Sequence, residues 1–243
     1  MRIHNLTPWW LLLLLSLVCV VASTTATAAL QNGTRGIDLF EVHLPVNWKN
    51  AVADGVEFVF VKATEGIAYR NLRFEPQTKR AVSAGVLHGA IHFASAAQSS
   101  GAEQADFFIE HGGNWTADGQ TPTLPGVLEM EGNIAGKLCH GMTATEITDW
   151  MLDFSNRYKE QTGRRPLLFL SAGWWEKCAG NNDTFGAGHP LWLANWAEEM
   201  GDLPVGWTKA RFWQYSGLSG NGGEGNVFFG GRAELMRFAR GVQ

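Results

Sequence analysis

The chain has 243 residues, 45% hydrophobic and 17% charged, with 23 acidic side chains against 19 basic ones. That is ordinary globular composition, at a length that suits one large domain or two small ones. No run of basic residues is present, which sets aside nucleic acid and anionic membrane surfaces as partners.

The first 28 residues read as a secretory signal peptide. Met1-Arg-Ile-His4 is a short basic opening, Trp9 to Val21 is an apolar run of 13 residues, and Ala26-Thr-Ala28 is a small-residue cleavage site. The run is too short to span a membrane and has no stop-transfer flank. Cleavage after Ala28 or near Ala22 fits equally, leaving one domain over residues 29–243, secreted and free of the membrane. Loss of Arg2 leaves 18 basic residues and a net charge of about −5. Cys19 departs with the signal, so Cys139 and Cys178 remain as a pair expected to form a disulfide in an oxidising compartment. Sequons at Asn32, Asn114 and Asn182 agree with a glycosylated secreted protein.

Beyond the signal, short apolar runs alternate with helical patterns. Gly36–Leu39 and Phe58–Ala63 are strand candidates, the second running into Thr64-Glu65-Gly66. A helix is expected from Pro76 to Gly85, a strand over Val86–Phe93, and a helix from Ser99 to His111. Pro125 to Asn133 is a fourth strand. Thr143-Ala-Thr-Glu146 is a capping box opening a helix whose Ile147, Trp150, Met151, Phe154 and Tyr158 share one face, with Gly163 as its end. Pro166–Leu170, Pro190–Ala194, Ala210–Tyr215 and Asn226–Phe229 complete eight strands, and a short helix over Arg232–Ala239 closes the chain.

Eight strands interleaved with helices predict an α/β fold: a single-domain, irregular parallel (β/α) barrel of the TIM-barrel kind. Asp38, Glu65, His92, Glu129, Glu131, Asn195 and Gln214 all fall at strand C-terminal ends, the active face of such barrels. Glu129 and Glu131 stand out because residues two apart on a strand share a face. Two carboxyls held together on a rigid strand supply the proton donor and charged partner that glycosidic bond cleavage needs.

Taken in order, Gly36-Ile-Asp38, Val61-Lys-Ala-Thr-Glu-Gly66, His92-Phe-Ala94, Leu128-Glu-Met-Glu131 and Trp213-Gln-Tyr-Ser216 resemble the motifs of family 25 glycoside hydrolases. These are the Chalaropsis-type lysozymes, which cut the β-1,4 bond between N-acetylmuramic acid and N-acetylglucosamine in peptidoglycan. The resemblance implies a secreted hydrolase of peptidoglycan; a monomer without cofactor or metal is expected. It implies Glu131 as general acid and then base, Glu129 as the group assisting the substrate's 2-acetamido function, and Asp38 as negative charge near the oxocarbenium-like centre. Glu65, His92, Trp192, Asn195, Trp213, Gln214 and Asn226 would contact the substrate. Departures accompany the match: Glu129 stands where the family has aspartate, as does Asn226, and Phe40, His43, Ile91 and Phe229 replace other family residues.

Each assignment has a plainer counterpart. Glu129 and Glu131 are otherwise a solvated strand end, Asp38 a helix cap or ion-pair partner, and His92 a hydrogen-bonded structural histidine. Lys62 and Glu65 form a supporting ion pair, and most of the nine tryptophans left after signal removal are core, with Trp192 and Trp213 near strand ends where a face can stack on a sugar. His88 and His92 share a strand face but lack a third ligand for zinc. The departures also motivate a second function, a weak or inactive glycan-binding protein on the same scaffold, and a third, a hydrolase of another amino-sugar polymer such as chitin.

Overall fold

The structure is a computed structural model that describes residues 33–117, 122–132 and 137–242. The segment expected to be a signal peptide, and Asn32, lie outside these residues. Strands β1 (Thr34–Leu39), β2 (Val56–Glu65), β4 (Leu87–Phe93), β5 (Val127–Glu129), β6 (Leu167–Leu170), β7 (Leu191–Ala194), β8 (Phe212–Ser216) and β9 (Glu224–Phe228) close into a barrel; a two-residue strand, β3 (Tyr69–Arg70), pairs only with the end of β2. The helices are α1 (Trp48–Ala53), α2 (Phe74–Ser83), α3 (Gly101–Phe108), α4 (Ala144–Thr162), α5 (Ala172–Ala179) and α6 (Arg232–Ala239). No described helix is long and apolar enough to cross a membrane.

The eight expected strands are all present, with one change of direction. β1, β2 and β4 to β8 run parallel, whereas β9 is antiparallel to both of its neighbours, β8 and β1. The reason is local. Only Gly217 to Gly223, rich in glycine, separates β8 from β9, too short for a crossover helix and long enough for a hairpin. The barrel is therefore mixed, and it is the start of β9 that lies with the C-terminal ends of the other strands.

Strand alternation divides the core. Phe58, Phe60, Phe169, Trp192, Phe212 and Phe228 fill the barrel interior, with Trp192 ring centroids 4.7 Å from both Phe60 and Phe169. Gly36 is required beneath Asp38, since a Cβ there would sit 2.3 Å from the Phe58 ring. The opposite faces of the same strands pack outward on the helices, chiefly α3 and α4 through Phe108, Trp150, Phe154 and Tyr158. Both faces are buried, so the strands read as continuous apolar runs.

Helix α4 starts with the expected capping box, Thr143 accepting from Glu146 N–H and Glu146 from Thr143 N–H, and it ends at Gly163 with φ 78°. The helix expected over Ser99–His111 is α3 followed by a π-turn at Ile109–Gly113, capped by a second box, Ser100 and Glu103. Helices α1 and α5 are additional to those expected. Cys139 and Cys178 are disulfide-bonded, tying the segment before α4 to α5.

Candidate active site

The mouth of the barrel is built from the ends of β1, β5 and β8 and the start of β9. Asp38 is inward-facing near the end of β1 and 1% exposed. The antiparallel register sets Glu224 directly opposite it, and places Asn226 opposite both Gly36 and Gln214. Asp38 Oδ1 accepts from Gln214 Nε2 at 3.1 Å and from Asn226 Nδ2 at 2.5 Å. The donors are themselves fixed: Trp192 Nε1 donates to Asn226 Oδ1 at 2.9 Å, and Gln214 Nε2 also reaches Glu224 Oε2 at 2.7 Å. Burial raises the Asp38 pKa, while the hydrogen bonds from Asn226 and Gln214 pull the other way.

Glu129 ends β5 on the same inward face as Val127 and is buried. Its Oε2 is enclosed with no hydrogen-bond partner among the described residues. Burial, then repulsion from Glu131, holds its carboxyl well above the usual range, with Lys62 opposing. Glu131, half-buried two residues on, is raised by burial and by Asp38. Glu224 is pushed to about 9 by burial and by Asp38. Four carboxyls around one ammonium cannot all ionise, so the cluster holds protons at neutral pH. Chemically it offers a carboxylic acid beside carboxylates, the combination that proton donation to a glycosidic oxygen requires.

Lys62 lines the rim. It pairs with Glu65 at 2.7 Å and lies 4.5 Å from the Phe93 ring centroid, 5.3 Å from that of Tyr69 and 5.7 Å from that of Phe40. Among the described residues, no three His, Cys, Asp or Glu side chains group as a metal-ion site.

The structure brings Asp38, Glu129, Glu131, Gln214 and Asn226 together and separates the other expected contacts from them. His92 faces outward and is fully buried between the barrel and the helices, 5.2 Å from the Phe154 ring and 5.5 Å from that of Phe108. Its Nε2 donates to Gln104 Oε1 at 2.9 Å, so Nδ1 accepts from Thr64 Oγ1 at 2.8 Å; Gln104 Oε1 also takes the Ser95 N–H. Burial lowers its pKa to about 4, so it is neutral and structural, not a substrate contact. Trp192 and Trp213 are likewise corrected: both are buried, Trp192 inside the barrel and Trp213 outside it with Nε1 on Asn195 O, and neither has a face to offer a sugar. The Asn195 amide is spent on the Glu199 and Met200 carbonyls. Glu65 sits on the rim as the partner of Lys62.

Two residues at the mouth escaped the sequence reading. Glu224 begins its strand instead of ending it, and only the reversed direction of β9 brings it in. Trp196, just past β7, is 65% exposed; its Nε1 donates to Gln214 Oε1 at 2.7 Å, and its ring lies over Gly217, where a Cβ would come within 2.9 Å. It is a pinned, open aromatic face beside the acids, the property sought in Trp192 and Trp213. A tryptophan beyond a strand end, not within the strand, was the available signal.

The family model for glycosyl hydrolases family 25 matches residues 37–223. Lysozyme M1 of Streptomyces globisporus is 38% identical over 213 residues, 86% of this chain and 72% of that protein. The N,O-diacetylmuramidase of Arthroderma benhamiae is 37% identical over 233 residues, 94% of this chain and 98% of its own length. Among solved structures, the muramidase from Trichobolus zukalii superposes with a TM-score of 0.83 at 39% identity, covering 86% of this chain and all of that one.

Proposed function

The chain belongs to family 25 of the glycosyl hydrolases and is a glycosidase of the lysozyme type; from that premise we propose that it is a secreted muramidase cleaving the β-1,4 bond between N-acetylmuramic acid and N-acetylglucosamine in peptidoglycan. The observation that supports this reading most directly is the enclosed Oε2 of Glu129, with no partner among the described residues, two residues from Glu131 and within electrostatic reach of Glu131 and Asp38. Turned toward a bound sugar, this carboxyl would accept the acetamido N–H in place of the donor that no described residue supplies. That hydrogen bond favours the ionised form of Glu129 and leaves the proton on Glu131.

Glu131 then protonates the leaving oxygen, the polarised acetamido oxygen attacks the anomeric carbon from within the substrate, and Asp38 supplies charge beneath the oxocarbenium-like centre. In the following step Glu131 takes a proton from water. Trp196 offers a stacking face for a neighbouring sugar. The apolar leader, the Cys139–Cys178 disulfide and the sequons support secretion; of the described sequons, Asn114 is exposed and Asn182 half-buried, its Oδ1 accepting from Thr184 Oγ1.

The purified protein should release reducing ends from bacterial cell walls, and Glu131→Gln should abolish release while the protein still melts cooperatively. A folded wild-type protein inactive from about pH 3 to 7 would overturn the reading. One observation favours a second reading, a slow hydrolase that mainly binds glycan: Asp38 is almost wholly covered, with two amides already on Oδ1. Saturable binding of amino-sugar oligomers without turnover in a calorimeter would select it.

A further inference from the structure

The end of the barrel opposite the mouth carries a cleft of about 740 Å³. It is lined where chain segments enter β6, β7 and β8, at Arg164 and Arg165, Pro190, and Arg211, together with the end of β9 and helix α6. Six cations line it: Lys159, Arg164, Arg165, Lys209, Arg211 and Arg237. Its one acidic lining residue is Glu234, 3.8 Å from Arg237; the other five have no ion-pair partner among the described residues. This concentration occurs in a chain whose net charge is −4.

The cations are held without being neutralised. Arg164 donates to the Phe238 and Ala239 carbonyls at the end of α6, and its guanidinium lies 4.6 Å from the Phe238 ring centroid and 5.1 Å from that of Trp115. Arg211 stands 5.8 Å from the Phe238 ring, and Arg165 donates to Ser155 Oγ and Asn156 Oδ1. Carbonyls and π faces orient a guanidinium and leave its charge for a ligand. Lys159, Lys209 and Arg237 are exposed around them.

We propose that this cleft binds a phosphodiester-linked anionic polymer of the bacterial wall. Guanidinium forks match phosphate bidentately, and cations spread over several chain segments suit repeating charges better than a single ion. The Trp115 and Phe238 faces are covered by guanidinium groups, so the base-stacking surface that single-stranded nucleic acid uses is missing at those rings. The choice of a wall polymer rests on the muramidase reading of the mouth; the cleft itself does not.

Poly(glycerol phosphate) is the probe, titrated against the Glu131→Gln protein so that binding is read without cleavage. Saturable binding that weakens steeply with added salt is expected. In a Lys209→Glu/Arg237→Glu variant the affinity should fall about ten-fold or more with a shallower salt dependence. The same pair in an otherwise wild-type chain should leave hydrolysis of a soluble, phosphate-free glycan fragment unchanged. Equal affinity in the charge-reversed protein would overturn the site. A single-stranded oligonucleotide of equal charge binding as tightly would overturn the assignment of the ligand. Hydrolysis persisting without polymer binding would remove this proposal alone, whereas polymer binding without any hydrolysis would remove the muramidase reading and with it the choice of a wall polymer.

Discussion

Glu224 is the residue through which the protonation of the mouth can be read. Its folded pKa of about 9 lies above the ordinary 4.5 because it is buried beside Asp38. Below about pH 4.5 the folded and unfolded chains both hold this proton; between there and about 9 only the folded chain does, so this contribution to stability is lost as pH rises through that window. Gln at 224 keeps an acceptor for Gln214 and cannot ionise. Glu224→Gln should therefore melt with the wild type near pH 4 and above it near pH 8, by about 2–4 °C per kcal/mol of relief in a domain of this size. Coincident melting curves at pH 8 would show that the carboxylate is accommodated without cost. The sequence disclosed Asp38, Glu129 and Glu131 because each stands at or near the C-terminal end of an apolar run, where a barrel opens. It did not disclose Glu224, which opens β9 straight after a glycine-rich turn, and it mistook Trp192 and Trp213 for platforms. Where both faces of every strand are buried, alternation cannot say which tryptophan meets solvent.

At the scale of elements, strand positions were legible because proline or glycine brackets most of the apolar runs, and α4 because its capping box and period agree. Strand direction was not legible from those signals; it followed from loop length, and the seven residues before Glu224 forbid a crossover. Helix α5, additional to those expected, is held by Cys178, whose partner Cys139 lies 39 residues earlier. Closing a loop of that size stabilises by about 3–4 kcal/mol on the chain-entropy account. Replacing both cysteines by alanine should lower the unfolding free energy by about that amount in denaturant titration. Because the tie lies outside the barrel interior, the acids at the mouth should keep their arrangement, and activity below the melting transition should survive.

Over the whole molecule, the barrel axis separates two unlike ends: acids with Lys62 at the mouth, and cations with Glu234 at the base. The mouth is also the meeting point of the chain's extremes. Asp38 takes its hydrogen bonds from Gln214 and Asn226, 176 and 188 residues later. A chain ending after Gly217 should thus be a barrel with an open seam, and assays on it should show neither a sharp melting transition nor release of reducing ends. The hairpin that turns β9 around is also the last part of the mouth to be made. On the proposed reading, a nascent chain that still lacks this strand would be an unarmed hydrolase.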